Sequence, residues 1–114
     1  MIPCSNRIQE ILEWVNGDCI ADIGCDHAYV VCNAILSHQS QKGYACDVAQ
    51  GPLDNAKKTI EENELSDFVS CRLLDGIQGL NEDVDQIIIC GMGSKLIIDI
   101  ISKGNLHIGL RFLL

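Results

Sequence analysis

The stretch "ADIGCDHAYV", residues 21–30, opens as a nucleotide-binding loop opens and then leaves the pattern. Asp22 and Gly24 close a short apolar run, CIADI (19–23), which reads as a buried strand, and AYVVCNAILSH (28–38) reads as the helix that follows. Loops that hold dinucleotides repeat glycine so that backbone amides can close on a pyrophosphate at the helix N-terminus. Here Asp26 stands at the second of those glycine points. A carboxylate in that place repels a diphosphate and attracts a cation. The loop therefore suits the sulfonium of S-adenosylmethionine better than it suits NAD.

Working outward, the apolar period changes repeatedly. Ser5 is placed to cap a helix with Ile8, Ile11, Leu12 and Val15 on one face, and Gly17 to end it. GYACD (43–47) is a second strand, and Gly51-Pro52 opens a helix continuing through LDNAKKTIEEN, with Leu53, Ala56 and Ile60 inward and Lys57, Lys58, Glu61 and Glu62 in water. FVSCRLL (68–74) alternates like a third strand that Asp75-Gly76 ends, and QIIIC (86–90) is a continuous apolar strand. After Gly91-Met92-Gly93, the spacing predicts a helix, SKLIIDIISK, from Ser94. This alternation is that of an α/β protein with a parallel sheet and helices on both faces. Ligands of such sheets bind beyond the carboxyl ends of the strands. Asp22 and Gly24, Asp47, Asp75-Gly76 and Gly91 all fall at strand ends, and Asp47 comes 23 residues after Gly24, near the offset at which an acid accepts bonds from a ribose diol.

Size and composition bound the possibilities. The chain has 114 residues, 47% of them hydrophobic, enough for one domain with a modest core. No secretory signal and no membrane-spanning run is expected, so a cytoplasmic location is the expectation. Seven cysteines include no Cys-x-x-Cys pair, which argues against a metal site or a disulfide framework. Cys19, Cys46, Cys71 and Cys90 sit in apolar runs and read as small hydrophobes; Cys25, beside His27, is a weak candidate nucleophile. A formal charge of −8 and eight scattered basic residues show no nucleic-acid-binding face in the sequence.

ADIGCDHAYV, CDVAQGPLDNA, RLLDGIQGL and IIICGMGSKLIIDII, in this order and at these intervals, resemble the bacterial tRNA methyltransferases that modify N1 of adenine 22 in the D-arm, from about Arg7 to Lys103. The resemblance implies a Rossmann-like class I S-adenosylmethionine-dependent methyltransferase fold, three-layer, with a mostly parallel sheet. It implies S-adenosyl-L-methionine as cofactor and tRNA as partner. Asp22 and Gly24 would lie near the methionine end, Asp47 at the ribose hydroxyls, Asp75 near the adenine with Gly76 and Gly91 beside the cofactor, and Asp26-His27 facing the substrate. Tyr29 can stack on a base, and Lys95 falls on the substrate side.

Departures accompany the matches: the family usually shows Ser for Cys25, two glycines for Gly93-Ser94, and Arg for Lys95, whose ammonium lacks a bidentate grip. Family members also run on through further strands and a helical C-terminal domain. The expectation is thus an N-terminal portion of the catalytic domain, incomplete at its C-terminus, stopping at LRFLL in a fifth strand and self-associating through an open sheet edge. In the implied chemistry adenine N1 attacks the methyl directly, and Asp26 orients N6 and balances the charge that develops. The plainer readings are Asp26 as cap of the helix near Ala28, His27 as a structural hydrogen-bonding group, and Tyr29 as a rim or core residue. Two other functions fit the same residues: methyl transfer to another substrate, and a cofactor-binding remnant without turnover.

Overall fold

The computed structural model describes residues 5–74, 84–90, 95–102 and 105–112. Strand β1 (Cys19–Ile23) pairs in parallel with β2 (Lys42–Asp47) on one side and β4 (Gln86–Cys90) on the other. Its three central residues are buried, as expected for an apolar run covered on both faces. Strand β3 (Val69–Leu73) pairs in parallel with β2, and the sheet order is β3-β2-β1-β4-β5-β6. The parallel half is the arrangement expected from the sequence.

Alternation along these strands divides the core. Ile20, Ala45, Val69 and Ile88 pack with Ile11, Val15, Val31, Ile35, Leu53, Ala56 and Ile60, so α1 (Asn6–Glu13), α2 (Tyr29–Leu36) and α3 (Gln50–Glu62) all cover one face. Ala21, Tyr44, Cys46 and Ile87 form a second buried cluster on the opposite face. All the described helices therefore lie on one face, and the second layer expected from the sequence is not among them. Helix α2 approaches the sheet at Gly43, where a Cβ would collide with Val31 Cγ2, so glycine there sets the distance between helix and sheet. None of the described helices is long and apolar enough to cross a membrane.

Helix α1 starts as its sequence indicates, the Ser5 hydroxyl accepting from Ile8 N–H at 3.2 Å. It ends at Glu13 rather than running on to Gly17. The cause lies about seventy residues away: the buried Gln86 side chain accepts from Asn16 N–H and donates to the Trp14 carbonyl, both at 2.8 Å, and so takes over the end of the helix.

The largest departure concerns residues 94–103, predicted helical. The backbone instead forms β5 (Lys95–Ser102), antiparallel to β4 with Ile88 opposite Ile98, and β6 (Asn105–Phe112) folds back on it from Ser102 opposite Asn105. Isoleucines at 97, 98, 100 and 101 favour a pleated strand over a helix once a strand edge is available to pair with. Of the fifth strand expected at LRFLL, residues 110–112 are correspondingly the end of a sixth, antiparallel strand, and 113–114 lie outside the described residues.

Candidate functional site

At the carboxyl end of β1 a cleft of about 200 Å3 is lined by Asp22, Gly24, Cys25, Asp26, His27 and Tyr29, with Ile8 and Ile11 of α1 as its apolar wall. A larger groove at the other end of the sheet is lined by Ile35, Leu36, Leu65, Phe68 and a few polar side chains, with His38 its lone titratable group. Chemistry is concentrated in the smaller cleft.

The loop's shape comes from its backbone. Gly24, Asp26 and Ala28 all have positive φ, at 73°, 48° and 61°, a left-handed alternation that only Gly adopts without strain. The loop is held to the next strand by Gly24 N–H and Cys25 N–H, both donating to the Cys46 carbonyl. Asp47 follows directly; its carboxylate accepts from Ala49 N–H at 3.1 Å, and its carbonyl accepts from Leu74 N–H. The ends of β1, β2 and β3 are thereby locked together.

Asp22 is 2% exposed. It reaches the start of α2, where Val31 N–H donates to it. No local side chain caps that helix, whose N-cap is Ala28. The expectation of Asp26 as the cap is therefore corrected: the acid that serves α2 comes from β1. Among the described residues, Asp22 Oδ1 is the buried side-chain polar atom left without a hydrogen-bond partner. Burial pushes the Asp22 carboxyl up to about 7, Val31 N–H pulls it back, and the charge of Asp47 adds to the rise.

Asp26 and His27 point outward, their side chains 72% and 44% exposed, with Asp26 Oδ1 3.8 Å from His27 Nε2. His27 stacks on Tyr29, ring centroids 5.1 Å apart and planes 13° from parallel. Asp26, His27 and Tyr29 thus share one rim, an arrangement that leaves Tyr29 half-buried rather than in the core. Cys25 is buried, and its thiol is pushed far above the ordinary range first by burial and then by Asp22 and Asp47, so it stays protonated and is no nucleophile. Burial likewise raises Cys32 to about 12.

Asp75, Gly76 and Gly91 lie outside the described residues. Lys95 is the first residue of β5, opposite Phe112. Ile8 and Ile11 enter the cleft although the sequence marks them only as a helix face; an apolar helix immediately before the loop-bearing strand is the signal that could have found them. Among the described residues no cluster of three or more His, Cys, Asp or Glu is arranged to hold a metal ion.

A parallel β3-β2-β1-β4 order with acids and glycine at the carboxyl edge defines a Rossmann-like α/β domain. Comparison with known proteins narrows the class. A methyltransferase domain model matches residues 4–111, and the chain belongs to that family. It is 38% identical over 106 residues to the tRNA (adenine(22)-N(1))-methyltransferase of Bacillus subtilis, a match covering 91% of this chain and 44% of that protein. The crystal structure of B. subtilis TrmK superposes with a TM-score of 0.74 at 36% identity over 82% of this chain and 41% of that one. M. capricolum TrmK, solved with the cofactor product S-adenosylhomocysteine, superposes with a TM-score of 0.71 at 32% identity over 76% and 41%. The chain spans less than half the length of the curated relatives it matches, 44% and 39%.

Proposed function

We propose that residues 1–114 form the N-terminal part of the S-adenosylmethionine-binding domain of an enzyme that methylates N1 of an adenine in tRNA. One observation in the fold carries the cofactor assignment: a buried carboxylate oxygen, Asp22 Oδ1, without a partner, facing a cleft whose backbone is opened by Gly24. An unsatisfied buried acceptor fits a ligand that brings a cationic donor, and the ammonium of an amino-acid moiety is such a donor. The residues present fit the group.

In this proposal Asp22 and Gly24 hold the methionine end, Asp47 the ribose hydroxyls and Asp75 the adenine, with Gly76 and Gly91 beside the cofactor. The bound cofactor supplies an electrophilic methyl on a cationic sulfur. Asp26, on the rim, accepts from the N6 amino group of the target adenine and balances the positive charge that develops on the ring as N1 is methylated. His27, stacked against Tyr29, offers its outer face to the adenine, which must leave its helix for N1 to be reached. Lys95 acts on the substrate side. Cys25, protonated and buried, takes no part in proton transfer.

The tRNA assignment is supported by similarity to the B. subtilis enzyme. A different substrate is favoured by one fact, the formal charge of −8, which opposes binding to a polyanion. Incubation with labelled S-adenosylmethionine and either bulk tRNA or a tRNA whose D-arm adenine is replaced by guanine separates the two. Label in the first RNA alone supports the proposal; label in neither, together with transfer to protein or small molecules, refutes it.

A further inference from the structure

Asp22 stands where proton and ligand compete. Its Oδ1 is buried and lacks a partner, while the carboxyl is held at the start of α2 by Val31 N–H. The groups facing it from each packed element are few. From β2 come Asp47 and the neutral Ala45; from β4 comes Ile88; from α1, Ile8 and Ile11 close the cleft. From the loop comes Cys25 and from α2 Cys32, both thiols that hold their protons through the neutral range. Asp26 and His27 stand farther out on the exposed rim. Among the described side chains, then, the charge acting on Asp22 is a like charge, that of Asp47, and no cation offsets it. An isolated buried carboxylate in that setting takes up a proton, because desolvation and a neighbouring acid both disfavour its ionised form.

We infer that Asp22 is a proton switch for cofactor loading, protonated in the free cleft and ionised when an ammonium group docks against Oδ1. This rests on the cofactor assignment above. On docking, the Asp22 O–H bond breaks, the proton passes to solvent, and an N–H of the ligand's ammonium donates to the carboxylate oxygen that remains. Binding of the amino-acid end is thereby coupled to release of one proton. Since the free carboxyl titrates near 7, affinity falls as pH drops below that point and levels off above it. An ammonium-bearing cofactor is held more weakly in acid, without any change in fold.

The test is calorimetric titration of the full chain with S-adenosylhomocysteine at several pH values, each in two buffers of different ionisation enthalpy. The expected result is release of most of one proton at pH 6, almost none at pH 8, and an apparent Kd about tenfold weaker at pH 6 than at pH 8. Asp22→Asn, nearly isosteric, is expected to bind more weakly at pH 8, to release no proton at pH 6, and to lose the difference in Kd. Subtracting the variant's pH profile removes titration of the ligand's own amine. Binding of the native chain with no proton release at pH 6 overturns the switch and leaves the cofactor assignment standing, and so does an unchanged slope in Asp22→Asn. Absence of binding at every pH overturns both. Should the variant not fold, the proton count of the native chain across the pH series still decides the matter.

Discussion

At the scale of single residues, the first loop separates two acids by burial. Asp22 is enclosed and raised, whereas Asp26, four residues on, is exposed beside His27. For stability the sign follows from the direction of the Asp22 shift. Its carboxyl moves from 3.8 up to about 7, so the folded chain binds the proton more tightly than the unfolded chain does. Stability is therefore lost as pH rises through the window between those values. Asp22→Asn is expected to be more stable than the native chain at pH 8, by roughly 1–3 kcal/mol, with the gain disappearing towards pH 4. Urea midpoints at the two pH values check this. Asp26→Asn and His27→Ala, on exposed side chains, should leave those midpoints within about 0.5 kcal/mol. On the proposed function they should nonetheless lower methyl transfer to tRNA while leaving cofactor affinity unchanged. His27→Phe should restore much of what His27→Ala loses, since stacking on a base is worth roughly 1–3 kcal/mol and needs a ring rather than a proton. Steady-state kinetics on the three variants separates a stacking role from an acid–base one.

At the scale of elements, two glycines make different predictions. A methyl on Gly43 meets Val31 of α2, and backbone and helix must move apart, so Gly43→Ala is expected to destabilise by roughly 1–3 kcal/mol. Gly51, in the first turn of α3, has open space beyond its chain neighbours for an added Cβ, but it precedes Pro52, whose ring disfavours helical backbone at a residue bearing a Cβ, so the usual helix gain of Gly51→Ala is offset and a change within about 0.5 kcal/mol is expected. Thermal denaturation of the two variants side by side gives the contrast. Gln86 joins the end of α1 to the start of β4 through two hydrogen bonds made from a buried position. Replacing it by Leu removes the bonds from Asn16 N–H and to the Trp14 carbonyl, and a loss of roughly 1–3 kcal/mol is expected, read as a lower urea midpoint at unchanged slope. The exposed Lys58–Glu62 pair, at 4.0 Å along α3, is by contrast worth little.

At the scale of the whole molecule, helices α1, α2 and α3 on one face and the tied ends of β1, β2 and β3 hold the cleft in shape. Ligand binding should therefore appear as global stabilisation. S-adenosylhomocysteine at a hundred times its Kd is expected to raise the unfolding free energy by about 2.7 kcal/mol. The rise in melting temperature at a fixed ligand concentration should be larger at pH 8 than at pH 6. A scan at both pH values checks this, and a shift equal at the two would contradict the coupling to Asp22.

The parallel half of the fold was legible because its signals are local. CIADI, GYACD, FVSCRLL and QIIIC each carry their own period, Ser5 lies three residues before the amide it caps, and acids and glycine punctuate the strand ends. The collection of Asp22, Gly24, Asp26, His27 and Tyr29 in one cleft followed from that rhythm, since a parallel sheet brings its carboxyl ends to one edge. Contacts between distant residues settled the rest. Residues 95–102 carry a pattern compatible with helix or strand, and pairing with β4 decided for the strand. Gln86 stands at the head of an apolar run and gives no local sign that it will end α1. The different environments of Asp22 and Asp26 are likewise invisible in a string of letters, because desolvation depends on which side chains pack around a carboxylate and not on its neighbours in sequence.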